Sequence, residues 1–301
     1  MKRRYVTADV FTESLFGGNP LAVVLDAEGL DGARMQAIAR EFNYSETTFL
    51  LPPADPAHTA HVRIFTPGIE VPFAGHPNVG TAFALARIGM AFGRPVGEAV
   101  VFEEAAGLVP VRILRRDDTP AGAQLTAPQR LYRGATMPPE RLAACLSLSP
   151  DDIVMRAHPP QVASVGLPFV IAELRDRAAL ARARPDAAAW AACLPVDDAH
   201  AIHIYTRAEP AAGCDIHARM FSVLDGTGED PATGSANAAL AALLAALSPA
   251  TDTTLHLRIA QGEDMGRPSL LMTEVDKIAG VPAHVRVGGY CVAVMEGVLE
   301  A

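Results

Sequence analysis

Three features are scarce in this chain of 301 residues: paired cysteines, long apolar runs and clusters of basic residues. Cys145, Cys193, Cys214 and Cys291 are far apart in sequence, so they indicate neither a disulfide framework nor a zinc site, and we expect buried free thiols. No apolar stretch approaches the roughly 20 residues of a membrane span. A formal charge of -9, with basic residues scattered among acids, argues against a nucleic-acid surface. The sequence predicts a cytoplasmic protein with no nucleic-acid or membrane partner.

Aromatic residues are also few, at 6%, in a chain whose hydrophobic fraction is 50%. Alanine and aliphatic side chains must therefore fill most of the interior, which is typical of globular proteins. The length suits two domains that each bury a core of their own. The charged stretch from Arg115 to Pro120, which ends at a proline, is the predicted linker between them.

One pattern occurs twice, with its Glu, Pro, Gly and Asn recurring at a constant offset of 159 residues. The copies are Ile64-Phe65-Thr66 followed by Glu70, Pro72, Gly75 and Asn78, and Met220-Phe221-Ser222 followed by Glu229, Pro231, Gly234 and Asn237. Each copy precedes an apolar helix, predicted over 78–90 and 235–247. A helix that is apolar all round must be buried on every side, so each half should wrap strands around a central helix. We predict an internal duplication and an α+β fold.

Glycine stands at the start of both predicted central helices, as Gly75-His76-Pro77 and as Gly234-Ser235-Ala236. The first turn of a helix presents unpaired N–H groups and the positive end of the helix dipole, and glycine lets a ligand approach closely. This pattern favours carboxylate binding despite the acidic total charge. The alternative is that both glycines only form tight turns.

Four further residues are candidates for proton transfer or substrate binding. Glu46 lies in a polar stretch between an apolar helix and an apolar strand, where an acid/base group could be presented, or it could simply end the helix and pair with Arg40. His76 could orient or exchange a proton with a substrate, or only cap its helix. Asp230 could contact substrate or belong to a solvated turn, and Ser235 could be an N-cap.

Metal and serine-nucleophile chemistry find little support in the sequence. The pairs His58/His61 and His200/His203 each have a spacing of three, but no third ligand lies near either pair, so no metal site is predicted. Ser235 lacks the Gly-x-Ser-x-Gly pattern of a nucleophile elbow and has no evident partner base.

Several segments, in this order, resemble the PhzF-like phenazine-biosynthesis family: Phe16–Pro20, Asn43–Thr48, Phe73–Pro77, Glu229–Ser235 and Gln261–Ser269. The resemblance implies a diaminopimelate epimerase-like fold of two pseudo-symmetric domains, with an active cleft between them and usually a homodimer. It also implies that the C-terminal strand returns to the first domain. We therefore predict an N-terminal domain over 1–117 plus about 288–301, and a C-terminal domain over 120–287.

The resemblance also assigns roles to the candidate residues. The family's namesake enzyme isomerises trans-2,3-dihydro-3-hydroxyanthranilate, and its acid/base glutamate corresponds to Glu46. Its other site residues correspond to His76 and Asp230 as catalytic residues, and to Gly75, Gly234 and Ser235 as substrate-binding residues. In related epimerases and racemases a cysteine precedes each glycine. Here Ala74 and Thr233 stand at those positions, which leaves proton transfer by one carboxylate.

The prediction is thus an isomerase without metal or cofactor that acts on a small carboxylate. Two alternatives stay open at this point. The protein could be another tautomerase or lyase on the same scaffold, or a binding protein that has no turnover.

Overall fold

The computed structural model describes residues 1–209, 212–224 and 228–301, and it divides into two compact units. Unit 1 contains residues 1–126 and 288–301, and unit 2 contains residues 127–287. The predicted first boundary, between residues 117 and 120, is therefore displaced. Residues 120–126 belong to unit 1.

The predicted linker is in fact a hairpin turn inside unit 1. Arg116 and Thr119 pair with each other across it, and Asp117 and Asp118 between them have φ values of 50° and 62°. Aspartate tolerates this left-handed conformation better than most residues and is common in turns. Charge and proline mark a tight turn as well as they mark a linker, so the sequence pattern could not separate the two.

The helices and strands have the following bounds. Unit 1 contains β1 (Lys2–Val10), β2 (Asn19–Val24), α1 (Gly32–Phe42), β3 (Glu46–Leu51), β4 (Ala60–Phe65), β5 (Glu70–Val71), α2 (Gly75–Ile88), β6 (Met90–Ala91), β7 (Arg94–Pro95), β8 (Ala99–Glu104), β9 (Gly107–Arg116) and β10 (Thr119–Thr126). Unit 2 contains β11 (Tyr132–Thr136), α3 (Pro139–Leu146), β12 (Ile153–Val154), β13 (Gln161–Ser164), β14 (Pro168–Leu174), α4 (Arg177–Arg182), α5 (Ala187–Cys193), β15 (Ala201–Arg207), β16 (Ile216–Ser222), β17 (Gly228–Asp230), α6 (Gly234–Leu247), β18 (Thr253–Gln261) and β19 (Ser269–Ile278). The last strand, β20 (Val281–Glu300), begins in unit 2, and its residues from 288 onward belong to unit 1.

The strands of unit 1 form a closed ring around α2. They pair in the order β1, β2, β3, β4, β8, β9, β10 and β20, and β20 pairs again with β1. Helix α2 packs against β1, β2, β3, β9 and β10, and all its residues from Gly75 to Ala86 are buried. A helix with so little polar surface is stable in water only when it is enclosed in this way.

Unit 2 repeats this topology around α6. The pairs β13/β14, β15/β16 and β18/β19 are antiparallel, and β14/β15 and β16/β18 are parallel. Unit 1 has the same arrangement: its antiparallel pairs are β1/β2, β3/β4 and β8/β9, and they are joined by the parallel pairs β2/β3 and β4/β8. Helix α6 packs against β13, β14, β18 and β19, and most of it is buried. Despite its apolar sequence, neither it nor any other helix in the described ranges is long and apolar enough to cross a membrane.

The alanine-rich stretch over residues 177–194 forms two helices, since α4 ends at Arg182 and α5 begins at Ala187. Pro185 lies between them, and Asp186 caps α5 by accepting a hydrogen bond from Ala189 N.

The close approach of β10 and β20 predicts a large effect at Gly122. A Cβ atom at Gly122 would lie 2.1 Å from the backbone oxygen of Gly289, which cannot rotate away as a side chain could. We expect Gly122→Ala to lower the free energy of unfolding, measured in urea, by about 1–3 kcal/mol or more. The control is Gly97→Ala, with nothing within 4 Å of the added atom, and it should change this energy by less than about 0.5 kcal/mol. Equal stability of the two variants would contradict this packing.

Candidate functional site

Glu46 and His76 lie side by side in unit 1. Helix α1 ends before Asn43, its left-handed C-cap with φ 54°, and Glu46 is the first residue of β3. Glu46 Oε2 lies 3.2 Å from Nδ1 of His76, and the Glu46 side chain is 19% exposed. Arg40, the partner in the alternative interpretation, instead donates from Nε to the carbonyl of Pro67 at 3.4 Å. Glu46 is thus presented at the start of a strand, beside a buried imidazole.

His76 is a neutral imidazole with one ring nitrogen unpartnered. It is the second residue of α2 and only 5% exposed, and burial lowers its pKa to about 3 even though a hydrogen bond to the Pro20 backbone opposes the shift. Proline has no N–H, so the ring must donate to the Pro20 carbonyl. Nε2 has no hydrogen-bond partner among the described residues, which assigns the donated proton to Nδ1. His76 Nε2 is therefore a buried acceptor.

The first turns of α2 and α6 are alike. Helix α2 begins at Gly75 after the N-cap Ala74, and α6 begins at Gly234 after the N-cap Thr233. No described side chain makes a capping hydrogen bond at either end. Both ends therefore carry the N–H groups and positive dipole that suit an anion, as the sequence predicts. His76 is not the cap of α2, so that alternative is wrong.

Asp230 and Ser235 both lie in unit 2, near the start of α6. Asp230 ends β17, is 8% exposed and accepts a hydrogen bond of 2.5 Å from Thr233 Oγ1. It is therefore buried, which excludes the solvated-turn alternative. Ser235 is the second residue of α6 and partly exposed. Because Thr233 is the N-cap, the interpretation of Ser235 as a cap is wrong, and Ser235 occupies the position that His76 has in α2.

Gln261 organises the start of α6, a role that the sequence did not reveal. It is 1% exposed, and its Oε1 accepts hydrogen bonds from Thr233 N at 3.2 Å and from Asn237 Nδ2 at 2.7 Å. Its Nε2 donates to the carbonyl of Asp230 at 2.8 Å. One buried amide thus fixes the residues on both sides of Gly234.

An arginine–glutamate pair precedes each central helix and was also missed. Arg63 binds both carboxyl oxygens of Glu70 at 2.7 Å, and Arg219 binds those of Glu229 at 2.7 and 2.8 Å. Each guanidinium also lies over the phenylalanine ring two residues later in its own strand, 5.1 and 4.8 Å from the ring centroid. The signal was available, because arginine directly precedes Ile-Phe-Thr in one copy of the repeat and Met-Phe-Ser in the other.

Strand register shows that the acid/base candidate has no carboxylate counterpart in unit 2. Thr47 pairs with Phe65 in unit 1, and Ile202 pairs with Phe221 in unit 2. Since Phe65 and Phe221 are equivalent in the repeat, Glu46 is equivalent to Ala201. Only one of the two units carries a carboxylate at this position, an arrangement that suits proton transfer by a single acid/base group.

The two histidine pairs of the sequence analysis take part in no metal-binding group in the described ranges. There, no three or more histidine, cysteine, aspartate or glutamate side chains are grouped so that they could hold a metal ion. His58 contacts Glu103 at 2.8 Å, and His203 is fully buried. All four cysteines are free, but only two of them are buried, whereas the sequence led us to expect buried thiols throughout.

Relatives of known sequence cover almost the whole chain. The family model described as phenazine biosynthesis-like protein, PhzC-PhzF, matches residues 8–297. An uncharacterized isomerase of Mesorhizobium japonicum is 40% identical over 99% of this chain and 98% of its own length. A trans-2,3-dihydro-3-hydroxyanthranilate isomerase of Pseudomonas aeruginosa is 35% identical over 98% of this chain and 98% of its own length.

Solved structures agree with this result. A crystal structure of a PhzF-family phenazine biosynthesis protein from Bacillus anthracis matches with a TM-score of 0.87 and 25% identity, over 100% of both chains. Epimerase and racemase structures of much lower identity share the fold. The fold is therefore that of the diaminopimelate epimerase-like proteins, as predicted. The chain belongs to the phenazine biosynthesis-like PhzC-PhzF family and is an isomerase, which confirms the predicted family and enzyme class.

The two arginine–glutamate pairs should differ strongly in their effect on stability. Arg219 is 5% exposed and also donates to the carbonyls of Leu180 and Ala183 at 2.8 and 3.1 Å. Arg219→Met would leave these carbonyls and the Glu229 carboxylate without a donor, and we expect a loss of about 3–5 kcal/mol in the free energy of unfolding. Arg63 is 26% exposed, so Arg63→Met should cost about 1 kcal/mol or less. Similar losses in urea unfolding would refute this distinction.

Proposed function

We propose that the protein moves a proton between two carbons of a small carboxylate similar to dihydro-3-hydroxyanthranilate, with Glu46 as the general acid/base. The observation that carries this proposal is the 3.2 Å contact between Glu46 Oε2 and His76 Nδ1, one residue from the uncapped start of α2. Such catalysis requires an acid/base group near donors that stabilise negative charge. A relative at 35% identity is named for this substrate.

Glu46 first removes a proton from one substrate carbon, and the electron pair of the broken C–H bond delocalises into the conjugated system of the substrate. The protonated Glu46 then returns the proton to a second carbon, so that the bonding pattern changes and the composition does not. Three residues support a scheme with one base. Ala201 stands at the position equivalent to Glu46, and Ala74 and Thr233 stand where a two-thiol mechanism needs cysteines. The proposed scheme uses no metal and no cofactor.

The other site residues bind and orient the substrate. His76 accepts a hydrogen bond at Nε2 from a hydroxyl or amino group, a role that suits a ring that is neutral at physiological pH. Asp230 accepts from another such group. The substrate carboxylate binds to the N–H groups of Gly75 or Gly234 and to the hydroxyl of Ser235, and the helix dipoles favour its charge.

The protein is further proposed to be a homodimer in the cytoplasm. The homodimer is inferred from the family resemblance. Light scattering coupled to size exclusion would measure the mass directly. A mass of one chain, 31.7 kDa, would refute the dimer and leave the assignment of Glu46 untouched.

Glu46→Gln tests the proposed role most simply. Glutamine keeps the size and polarity of the side chain but cannot carry the proton. In D2O, turnover of trans-2,3-dihydro-3-hydroxyanthranilate and deuterium incorporation should fall by about 10²–10⁴-fold or more. Binding of 3-hydroxyanthranilate and the unfolding midpoint should stay near those of the wild type. Glu41→Gln, which changes an exposed glutamate of α1, is the matched control and should keep full activity.

Other results of this experiment have distinct meanings. Most activity retained in Glu46→Gln would refute Glu46 as the acid/base. If the wild type incorporates deuterium into other carboxylates but not into trans-2,3-dihydro-3-hydroxyanthranilate, the protein is a different tautomerase or lyase. If the wild type binds candidate carboxylates and exchanges none, the protein is a binding protein and the proposed isomerisation is wrong.

A further inference from the structure

Strand β8 ends in two adjacent glutamates that have opposite surroundings. The Glu103 carboxylate accepts hydrogen bonds from the backbone N–H groups of Asp55 and Ala54 at 2.9 and 2.7 Å and contacts His58, and these donors lower its pKa to about 2. Neighbouring strand residues point to opposite faces of a sheet. Both carboxyl oxygens of Glu104 are buried and have no hydrogen-bond partner among the described residues, and burial raises its pKa to about 8.

The amide of Asn78, at the start of α2, lies beside the Glu104 carboxyl and lowers its pKa, but the opposite effect of burial is larger. Asn78 Nδ2 donates one of its two hydrogens to the carbonyl of Ala74 at 3.0 Å. Asn78 Oδ1 is buried and, within the described part of the chain, has no donor. Even if the second Nδ2 hydrogen is shared with Glu104, an ionised Glu104 would leave Asn78 Oδ1 and at least one carboxyl oxygen buried without a donor, and each unmet acceptor costs about 1–3 kcal/mol. One proton on Glu104 supplies the missing donor.

The equivalent asparagine of unit 2 shows how such an amide is satisfied. Asn237 Nδ2 donates to the carbonyl of Thr233 at 3.0 Å, as Asn78 does to Ala74, and also to Gln261. Asn237 Oδ1 lies 3.2 Å from Nε2 of His203. Burial lowers the pKa of His203 to about 4, so this ring is neutral and Nε2 must carry the proton that it donates. In unit 2, a buried neutral histidine thus donates the hydrogen bond that the side-chain oxygen of Asn237 needs.

We propose that Glu104 is a neutral carboxylic acid in the folded protein and that it donates its proton to Asn78 Oδ1, thereby positioning the first turn of α2. Asn78 in turn holds the carbonyl of Ala74. Because the peptide group is planar, fixing this carbonyl also fixes the direction of the Gly75 N–H. The positioning role rests on the proposed function, in which this N–H binds the substrate carboxylate. The protonation state of Glu104 does not rest on it.

Charged groups around Glu104 do not explain its protonation. The titratable or charged side chains on the neighbouring β4, β9 and α2 are His61, Arg63, His76, Arg87, Arg112, Arg115 and Arg116. Arg63 is bound to Glu70, and Arg112 donates to Gln124 at 2.7 Å. Burial raises the pKa of Glu104 and the Asn78 amide lowers it, and among the described residues no charged group contributes. Burial of the Glu104 carboxyl within the ring of strands is therefore the cause of its raised pKa.

The proposal predicts how stability depends on pH. The pKa of Glu104 is about 8 in the folded protein against 4.5 for an ordinary glutamate, so the folded state holds the extra proton between these values. The contribution of Glu104 to stability is therefore complete below about pH 4.5, falls as pH rises through this window, and is lost above about pH 8. Glu104→Gln cannot titrate, and its amide can still donate to Asn78. The ratio of folded to unfolded protein can be measured in urea for both proteins. The ratio for the variant, divided by the ratio for the wild type, should rise by up to about tenfold per pH unit within this window.

Glu103→Gln is the matched control from the same strand. The pKa of Glu103 is already low in the folded protein, so its stabilising effect is complete above pH 4.5. Between about pH 5 and pH 9 the stability of Glu103→Gln should therefore differ from the wild type by a constant amount. The proposal would be overturned if the free energies of unfolding of Glu104→Gln and of the wild type also differ by a constant amount over this pH range.

Infrared spectroscopy of the wild type provides a test that does not require a variant to fold. A protonated carboxyl has its own C=O absorption, which should be present at neutral pH and disappear near pH 8. Its absence at neutral pH would show that Glu104 is ionised. If Glu104→Gln folds, the loss of this band in the variant assigns it to Glu104.

Enzyme kinetics separates positioning from a purely structural role. KM of the wild type should rise above about pH 8, where Glu104 ionises, whereas Glu104→Gln should keep a constant KM. Glu104→Ala, which has no donor, should have a raised KM at every pH. If the stability and infrared results are as expected but the wild type shows no turnover, the proposed function is wrong. The inference that Glu104 is protonated in the folded protein would still hold. If KM of all three proteins is equal, the positioning role is wrong.

Discussion

An apolar helix that is enclosed by strands must begin in the protein interior, and much of this molecule depends on that constraint. Gly75 and Gly234 are both buried, and neither α2 nor α6 has a side-chain cap among the described residues. Unpaired N–H groups in such a place are costly unless another acceptor binds them. A buried helix start without a side-chain cap therefore costs stability but suits a carboxylate ligand, and it occurs in both units.

Several polar groups keep these helix ends in place. Bidentate arginine–glutamate pairs fix the short strands β5 and β17 that lead to them, and Asn78 and Asn237 hold the N-cap carbonyls. The two units differ in what they add to this shared frame. Unit 1 adds Glu46, and unit 2 has Ala201 at the equivalent position. A duplicated scaffold with one carboxylate fits an isomerase that uses a single proton shuttle.

Local sequence patterns predicted the features that depend on local chemistry. The repeat and the apolar central helices both follow from short-range spacing and residue type. The predicted linker failed because a charged turn and a charged linker look alike in sequence. Glu103 and Glu104 are equally indistinguishable in sequence. Their opposite pKa shifts depend on which face of β8 is enclosed, and that is decided by strands distant in the chain.

In the proposed mechanism, helix-end N–H groups hold a substrate carboxylate while Glu46 reaches the carbon that exchanges its proton. A crystal structure with bound 3-hydroxyanthranilate tests this most directly. We expect a ligand carboxylate oxygen about 3 Å from the N–H of Gly75 or Gly234, and a Glu46 carboxyl oxygen about 3–3.5 Å from a ring carbon. A ligand bound away from both helix starts, or a Glu46 carboxyl that points away from the ring, would contradict it.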